Sequence, residues 1–319
     1  MPIGATGRSV RNSRRLGARF TDVTTSLIWD SGWTGDGIGD MVYHSGRNEL
    51  ILTEGFGGDR VAQFDLSDNT LVDTYSYNLE IEGGLDISPD ESEFAFARTD
   101  DEDMFTFVDA DTFSVIEHVD KNDMNLSGDP GNTSGVRYDP QAEYIAFYYG
   151  TGDIHITDYD KTQEETSFSA ASSIFETLWS PSGHRIAFSA SSTRRGVYER
   201  DTWNELFFDE DEGAGRAVTW YKDNRLIMYN DGTDLLEVFD DDLVVIETID
   251  ASSRHLSSTD DLLMASDFSG VTDFVELENF EKLLNETTDV DGVRSVLLLE
   301  NNIGYLTGDS GELYEYTLT

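Results

Sequence analysis

The 319-residue sequence contains no cysteine, which excludes disulfide bonds, thiol nucleophiles and cysteine-ligated metal sites. It also has no apolar run of the ~18 residues that a membrane-spanning helix needs, so we expect no membrane contact. The pair Arg14-Arg15 is followed by charged residues rather than by an apolar segment, which argues against a twin-arginine export signal. We therefore expect the protein to stay in the cytoplasm or to leave the cell inside a particle.

Basic residues are also scarce. The chain has 21 Lys and Arg against 64 Asp and Glu, a net charge of −43, and only four of the basic residues are lysines. Such a chain repels itself at low ionic strength, whereas at molar salt the Debye length falls to about 3 Å and the repulsion is screened. This composition resembles the proteins of halophilic archaea and their viruses. The alternative is an acidic protein from a moderate environment that binds cations or basic partners.

The few basic residues are unevenly placed. The first 19 residues carry five arginines and no acid, whereas the rest carries 16 basic and 64 acidic residues, a net charge of −48. We predict a basic extended arm at residues 1–19, with arginine forks that pair bidentately with carboxylates. The residues expected to bind a partner are Arg8, Arg11, Arg14, Arg15, Leu16, Arg19 and Phe20. The expected partner is another acidic protein subunit, because an acidic body would be repelled by nucleic acid.

A repeat of apolar strand, tight polar turn and second apolar strand runs through residues 20–319. Its turns include Ser88-Pro89-Asp90, Asp139-Pro140 and Ser180-Pro181-Ser182-Gly183, and successive turns lie roughly 36 to 51 residues apart. Four strands per unit at about this period is typical of a β-propeller blade. The sequence therefore predicts an all-β fold, a seven-bladed propeller over residues 20–319, with six blades as the alternative.

The ends of this region suggest how the propeller closes. The last unit stops after a third strand at 312–317, while a spare strand lies at 24–30. We expect the N-terminal strand to complete the last blade, which leaves no free sheet edge. The turns Ser88-Pro89-Asp90 and Ser180-Pro181-Ser182-Gly183, together with the segment from Val108 to Ile116, resemble the YVTN-type and TolB-like seven-bladed propellers. That resemblance implies the fold but no activity, because propellers host many functions.

Catalytic and metal-binding motifs are not evident. No two of the five histidines are close in sequence, and we expect them to be exposed residues of turns and strands. No Gly-x-Ser-x-Gly motif is present. The acidic runs at 100–103, 209–212 and 240–242 match no EF-hand loop and are expected to be solvated turns. We predict no metal, no cofactor and no enzymatic activity.

The longest insertion, residues 122–134, is a candidate recognition loop, because long surface loops often carry binding residues. Its polar candidates are Asn125, Asp129 and Asn132.

These features together predict a non-catalytic subunit of a large assembly. We expect a virion protein of a haloarchaeal virus, such as a capsid decoration, turret, tail or baseplate protein. It would dock through its arm and display the propeller to a host-surface glycan or protein. The alternatives are a cellular haloarchaeal scaffold protein in the cytoplasm, and a propeller lyase or glycosidase that uses carboxylates in the central funnel.

Overall fold

The protein folds as an all-β structure, which confirms the all-β part of the predicted fold. A computed structural model describes residues 22–33, 37–98, 105–127, 133–170, 173–191, 194–209, 214–222, 224–230, 232–251, 254–288, 290 and 292–319. These residues form 27 β-strands and no helix. Within these ranges, nothing qualifies as a helix long and apolar enough to cross a membrane.

The strands group into seven units of four antiparallel strands, numbered here from unit 1 to unit 7. The strands of units 1 and 2 are β2 (Ile38–His44), β3 (Glu49–Glu54), β4 (Gly58–Asp65), β5 (Thr70–Ile87), β6 (Glu93–Arg98), β7 (Phe105–Asp109) and β8 (Val115–Val119). Unit 3 contains β9 (Thr133–Tyr138), β10 (Tyr144–Tyr149), β11 (Asp153–Asp158) and β12 (Glu164–Ser169). Unit 4 contains β13 (Ile174–Trp179), β14 (Arg185–Ala190), β15 (Arg194–Glu199) and β16 (Glu205–Asp209).

The remaining three units follow the same order. Unit 5 contains β17 (Ala214–Tyr221), β18 (Arg225–Asn230), β19 (Leu235–Phe239) and β20 (Val245–Ile249). Unit 6 contains β21 (His255–Ser258), β22 (Leu262–Ser266), β23 (Val271–Glu276) and β24 (Glu281–Thr287). Unit 7 contains β25 (Val293–Leu298), β26 (Ile303–Gly308), β27 (Glu312–Leu318) and β1 (Val23–Asp30).

Units 1 and 2 share one long strand. The first part of β5 pairs with β4 and its last part pairs with β6, so seven strands join in one sheet, whereas the other five sheets have four strands each. The change of partner falls at bulges around Gly83 and Gly84, both of which have positive φ. A Cβ on Gly84 would lie 2.1 Å from the Cα of Gly135, so β5 and β9 approach too closely for a side chain there.

The repeated turn residues fix the hairpin between the first and second strands of a unit. Ser88 Oγ accepts the backbone N–H of Glu93 at 3.1 Å, and Ser180 Oγ accepts that of Arg185 at 3.1 Å. In unit 3 the same turn uses Asp139, whose carboxylate accepts the N–H of Glu143 at 3.1 Å. A short polar side chain at this position therefore satisfies backbone donors that the tight turn leaves unpaired.

The second strands are buried on both faces, which explains their continuous apolar sequences such as YIAFYY in β10. Seven apolar clusters form the core, and each combines side chains from two consecutive units. One cluster joins Leu50 and Phe64 of unit 1 to Tyr305 and Leu313 of unit 7. A four-stranded sheet cannot cover its own two faces, so each unit is stabilised by packing between its neighbours.

The N-terminal strand completes unit 7 as expected. Strand β1 pairs antiparallel with β27, with Val23 opposite Leu318 and Asp30 opposite Glu312. Strand β25 of unit 7 in turn contacts β2 of unit 1. The arm at residues 1–19, together with Phe20, lies outside the described residues.

Candidate binding cavity

The first strands of all seven units line one central cavity of about 600 Å³. Strands β2, β5, β9, β13, β17, β21 and β25 each contribute lining residues. Concave sites of this size, with a few convergent polar groups, are the usual places for small ligands to bind. The cavity is therefore the leading candidate for a functional site.

Hydrogen bonds link these first strands in a cycle. Each link joins a side chain of one strand to the next strand, and the last link joins β25 back to β2. In order, the links are Asp40 Oδ2 with Leu85 N (3.1 Å), Asp86 Oδ2 with Tyr138 N (2.8 Å), Trp179 Nε1 with Arg137 O (3.3 Å), Trp220 Nε1 with Leu178 O (3.0 Å), Ser258 Oγ with Trp220 O (2.7 Å), Leu298 N with Ser257 Oγ (2.9 Å) and Ser295 Oγ with Asp40 Oδ1 (3.0 Å). The cavity wall is thus held by side chains as well as by apolar packing.

Arg137 of β9 carries the central positive charge of the wall. Its Nη2 donates to Glu176 Oε1 at 2.6 Å, and its Nη1 donates to the carbonyl oxygens of Leu85 and Val136 at 2.9 and 2.8 Å. Burial opposes its charged form, but Glu176 raises the pKa of Arg137 well above its ordinary value. Arg137 is therefore a fixed cation whose donors face protein acceptors.

Three carboxylates surround this cation. Burial raises the pKa of Asp86 to about 6, and the positive charge of Arg137 limits the rise. Burial also raises the pKa of Glu176, again opposed by Arg137. Asp40 accepts hydrogen bonds on both oxygens, from the N–H groups of Met41 and Leu85 and from the Ser295 hydroxyl.

The cavity mouth, defined here as Arg254, Phe268 and Arg294, has a different character. Arg254 is exposed, and its guanidinium carbon lies 5.5 Å from the centroid of the Phe268 ring, which is 44% exposed. Arg294 pairs with Asp309, and 33% of its side chain is exposed. A Cβ on Gly292 would lie 3.0 Å from Phe268 Cζ, so the ring packs against backbone. The mouth therefore presents one exposed cation, Arg254, and one ion pair, Arg294 with Asp309, beside an apolar ring.

Of the predicted recognition and arm residues, the structure describes only Asn125, which does not line this cavity. Asp129 and Asn132 lie outside the described residues, as do Arg8, Arg11, Arg14, Arg15, Leu16, Arg19 and Phe20. Asn125 is exposed and donates to the Thr162 carbonyl, in the turn between β11 and β12, at 2.9 Å. Met124 beside it is buried in the apolar cluster between units 2 and 3. This part of the loop packs against the outer side of unit 3.

The expectation that all histidines are exposed is wrong for three of them, because His44 and His155 are buried and His255 is half-buried. His44 is 7% exposed and its Nδ1 lies 3.1 Å from Glu91, while His155 is 3% exposed and its Nδ1 lies 2.5 Å from Glu164. A buried polar ring needs a hydrogen-bonding group, which Glu164 supplies for His155, whereas Glu91 is a nearby negative charge for His44. His255 is the histidine that lines the cavity.

The acidic runs differ in how far they are described. In the run 240–242, Asp240 accepts the N–H groups of Asp242 and Val244 at 3.0 and 2.9 Å, which closes a turn. Asp209 pairs with Arg195 at 2.8 Å, and residues 100–103 and 210–212 lie outside the described part of the chain. Among the described residues, no three His, Asp or Glu side chains are placed to hold a metal ion together.

A sequence signal for the cavity residues lies in the first strands, where polar residues recur at one position. The same position of the first strand is polar in three units, where it is Asp86, Arg137 or Thr219. Each of these residues pairs with the second buried residue of the neighbouring second strand. Polar side chains that recur at one position of an otherwise apolar strand indicate a shared polar surface.

A scan against protein-family models and a search of the curated proteins found no match to this chain.

Proposed function

We propose that the seven units are the blades of a β-propeller. Three features support this arrangement: one cavity lined by every first strand, apolar clusters between all consecutive units including 7 and 1, and the hydrogen-bond cycle. In a propeller, each blade covers the exposed faces of its two neighbours.

Small-angle X-ray scattering tests this arrangement. A compact 319-residue domain has a radius of gyration of about 20 Å, whereas an open curved array of seven units would be clearly larger. A radius of gyration that stays clearly above about 20 Å after residues 1–19 are removed would contradict the propeller.

We further propose that the protein is a non-catalytic subunit of a large assembly that works in concentrated salt, a virion protein of a haloarchaeal virus. The non-catalytic part of this proposal rests on the hydrogen bonds that the cavity carboxylates make within the protein. Both oxygens of Asp40 and of Asp86 accept hydrogen bonds from the protein, in part from neighbouring first strands. These groups hold the wall together and are poorly placed to transfer protons to a substrate.

The docking part of the proposal rests on charge. The arm is the basic segment of a chain whose remaining residues carry a net charge of −48. At molar salt, long-range attraction is screened, so the arm must bind through short-range, bidentate arginine–carboxylate pairs. An acidic neighbouring subunit provides such partners, and the propeller is then displayed outward.

Deletion of residues 1–19 tests this docking. The deletion variant should fold with an unchanged circular dichroism spectrum but fail to join particles reconstituted at molar salt. Replacement of the five arginines by lysine keeps the charge but removes the planar fork, and it should also fail. Normal incorporation of the deletion variant would refute the docking role.

A second candidate function, a propeller lyase or glycosidase, is favoured by one observation. Glu176 faces the cavity with 30% of its side chain exposed, beside Arg137, and burial raises its pKa as a general acid requires. His255 lines the same cavity. Release of reducing sugar from acidic polysaccharides, abolished by Glu176→Gln, would favour this alternative over the assembly subunit.

A further inference from the structure

We propose that the cavity mouth of Arg254, Phe268 and Arg294 binds the carboxylate of an acidic saccharide, a uronate-type sugar. This inference rests on the proposed function, because a subunit displayed toward a surface needs a ligand there. The argument combines charge distribution, geometry and the chemistry of an aromatic ring beside a cation.

The distribution of charge around the cavity is unusual for this chain. Beyond the arm, acids outnumber basic residues by 64 to 16, yet the described lining contains three arginines, Arg137, Arg254 and Arg294, against three acids. A negatively charged ligand is therefore repelled less at this wall, where the charges balance, than elsewhere on the surface of so acidic a protein.

The arginines differ in what they already bind. Arg137 donates to Glu176 and to two backbone carbonyls, and Arg294 pairs with Asp309. Arg254 has no carboxylate within 4.0 Å among the described residues; its guanidinium lies over the face of Phe268 instead. An exposed guanidinium held at a ring keeps its fork of donors available for a carboxylate.

The groups around Arg254 indicate which chemical features the ligand has beside its carboxylate. The half-exposed Phe268 ring offers a flat apolar surface, and the Val293 N–H donates to the Phe268 carbonyl at 3.2 Å, which fixes its backbone. The hydroxyls of Ser257 and Ser295 line the cavity nearby. An apolar platform, a cation and hydroxyl groups match a sugar ring that has one apolar face, one carboxylate and several hydroxyls.

Titration of the full-length protein with methyl β-D-glucuronide, by calorimetry or ligand-observed NMR at 2 M KCl, tests this site. Methyl β-D-glucoside is the neutral counterpart and acetate is the free carboxylate. We expect the glucuronide to bind at least tenfold more tightly than either. Equal binding of the glucuronide and the glucoside would overturn the carboxylate contact, and equal binding of acetate would overturn the saccharide class.

Variants locate the site. Arg254→Gln should weaken glucuronide binding at least tenfold and leave the glucoside unchanged, whereas Phe268→Ala should weaken both sugars. The control is Arg225→Gln, because Arg225 is a partly exposed arginine, with 39% of its side chain accessible, at the start of β18 in another unit and outside the cavity lining. Unchanged glucuronide binding by Arg254→Gln, in a protein with a native circular dichroism spectrum, would refute the proposal.

The arm deletion and the Arg254→Gln variant together distinguish failure of this inference from failure of the proposed function. Deletion of residues 1–19 should leave glucuronide affinity intact, and Arg254→Gln should still join particles. Loss of particle assembly by the arm deletion together with absent sugar binding would refute the mouth site alone. Sugar binding with unimpaired assembly of the arm deletion would refute the docking role alone.

Discussion

Arg137 is the residue on which the charge balance of the cavity depends. It is 9% exposed and lies close to the carboxylates of Asp40, Asp86 and Glu176, whose charges all raise its pKa. A buried ion pair is costly to break, because the group that remains keeps an uncompensated charge away from water.

Arg137→Met should therefore destabilise the protein by about 3 to 5 kcal/mol. Denaturant unfolding at constant salt measures the change. Arg225→Met is the control, because 39% of the Arg225 side chain is accessible and its distance to Asp241 is 3.7 Å; its effect should stay within about 1 kcal/mol. A similar loss in both variants would mean that Arg137 has no special role in the wall.

Asp86 should make the stability depend on pH in an unusual direction. Burial raises its pKa in the folded protein to about 6, above the ordinary value near 4 of an unfolded chain. Between about pH 6 and pH 4 the folded state therefore binds a proton that the unfolded state has released. This carboxyl costs stability above pH 6, and the cost disappears as the pH falls below 4.

Comparison with Asp86→Asn isolates this effect. The free energy of unfolding of the wild type, relative to the variant, should rise by roughly 1 to 2 kcal/mol from pH 7 to pH 4. Other carboxylates whose pKa values are lowered, such as Glu164, contribute equally to both proteins and cancel. A difference that does not change with pH would show that Asp86 has an ordinary pKa.

At the scale of elements, the contact between β5 and β9 requires a glycine. Gly84 has φ of +60°, and a Cβ there would lie 2.1 Å from Gly135 Cα. Gly57 has φ of +76°, but nothing lies within 4 Å of the position of its Cβ. The two glycines share a positive φ and differ in their surroundings.

Gly57→Ala should therefore cost about 1 kcal/mol through backbone strain alone. Gly84→Ala should cost clearly more, at least about 3 kcal/mol, because one of the strands must also move. Thermal unfolding of both variants measures the difference, and equal losses would indicate that β5 and β9 do not approach as described.

Much of this element structure could be predicted from the sequence. The turns at Ser88 and Ser180 mark the hairpins, and the unpaired strand at 24–30 pairs with β27 as expected. The cavity contacts could not be predicted, because they join strands of different units. The pairing of Arg137 with Glu176 also depends on a bulge between Ile174 and Glu176, which changes the direction of the side chain and has no clear sequence signature.

At the scale of the whole molecule, salt should control stability. Asp260 and Asp261 lie between β21 and β22, and Glu300 lies between β25 and β26; all three are exposed. Partial burial raises the pKa of Glu300, and the charges of both aspartates raise it further. The protein should therefore melt at a temperature at least about 10 °C higher in 3 M than in 0.1 M NaCl, because the Debye length falls from about 10 Å to less than 3 Å.

The double variant Asp260→Asn, Asp261→Asn tests whether repulsion is the cause. It should raise the melting temperature in 0.1 M NaCl and have no effect in 3 M NaCl, as measured by circular dichroism. An equal gain at both salt concentrations would assign the effect to packing or solvation rather than to charge.

The pairing of β1 with β27 determines the order in which the molecule can be completed during synthesis. Strand β1 is synthesised before the other strands, whereas its partner β27 is synthesised after all of them. Units 1 to 6 can form while the chain grows, because each unit contains strands close in sequence. Unit 7 cannot form until β27 has been synthesised, and until then β1 is an unpaired strand open to other chains. Where many copies are synthesised at once, this delay favours exchange of β1 between neighbouring copies.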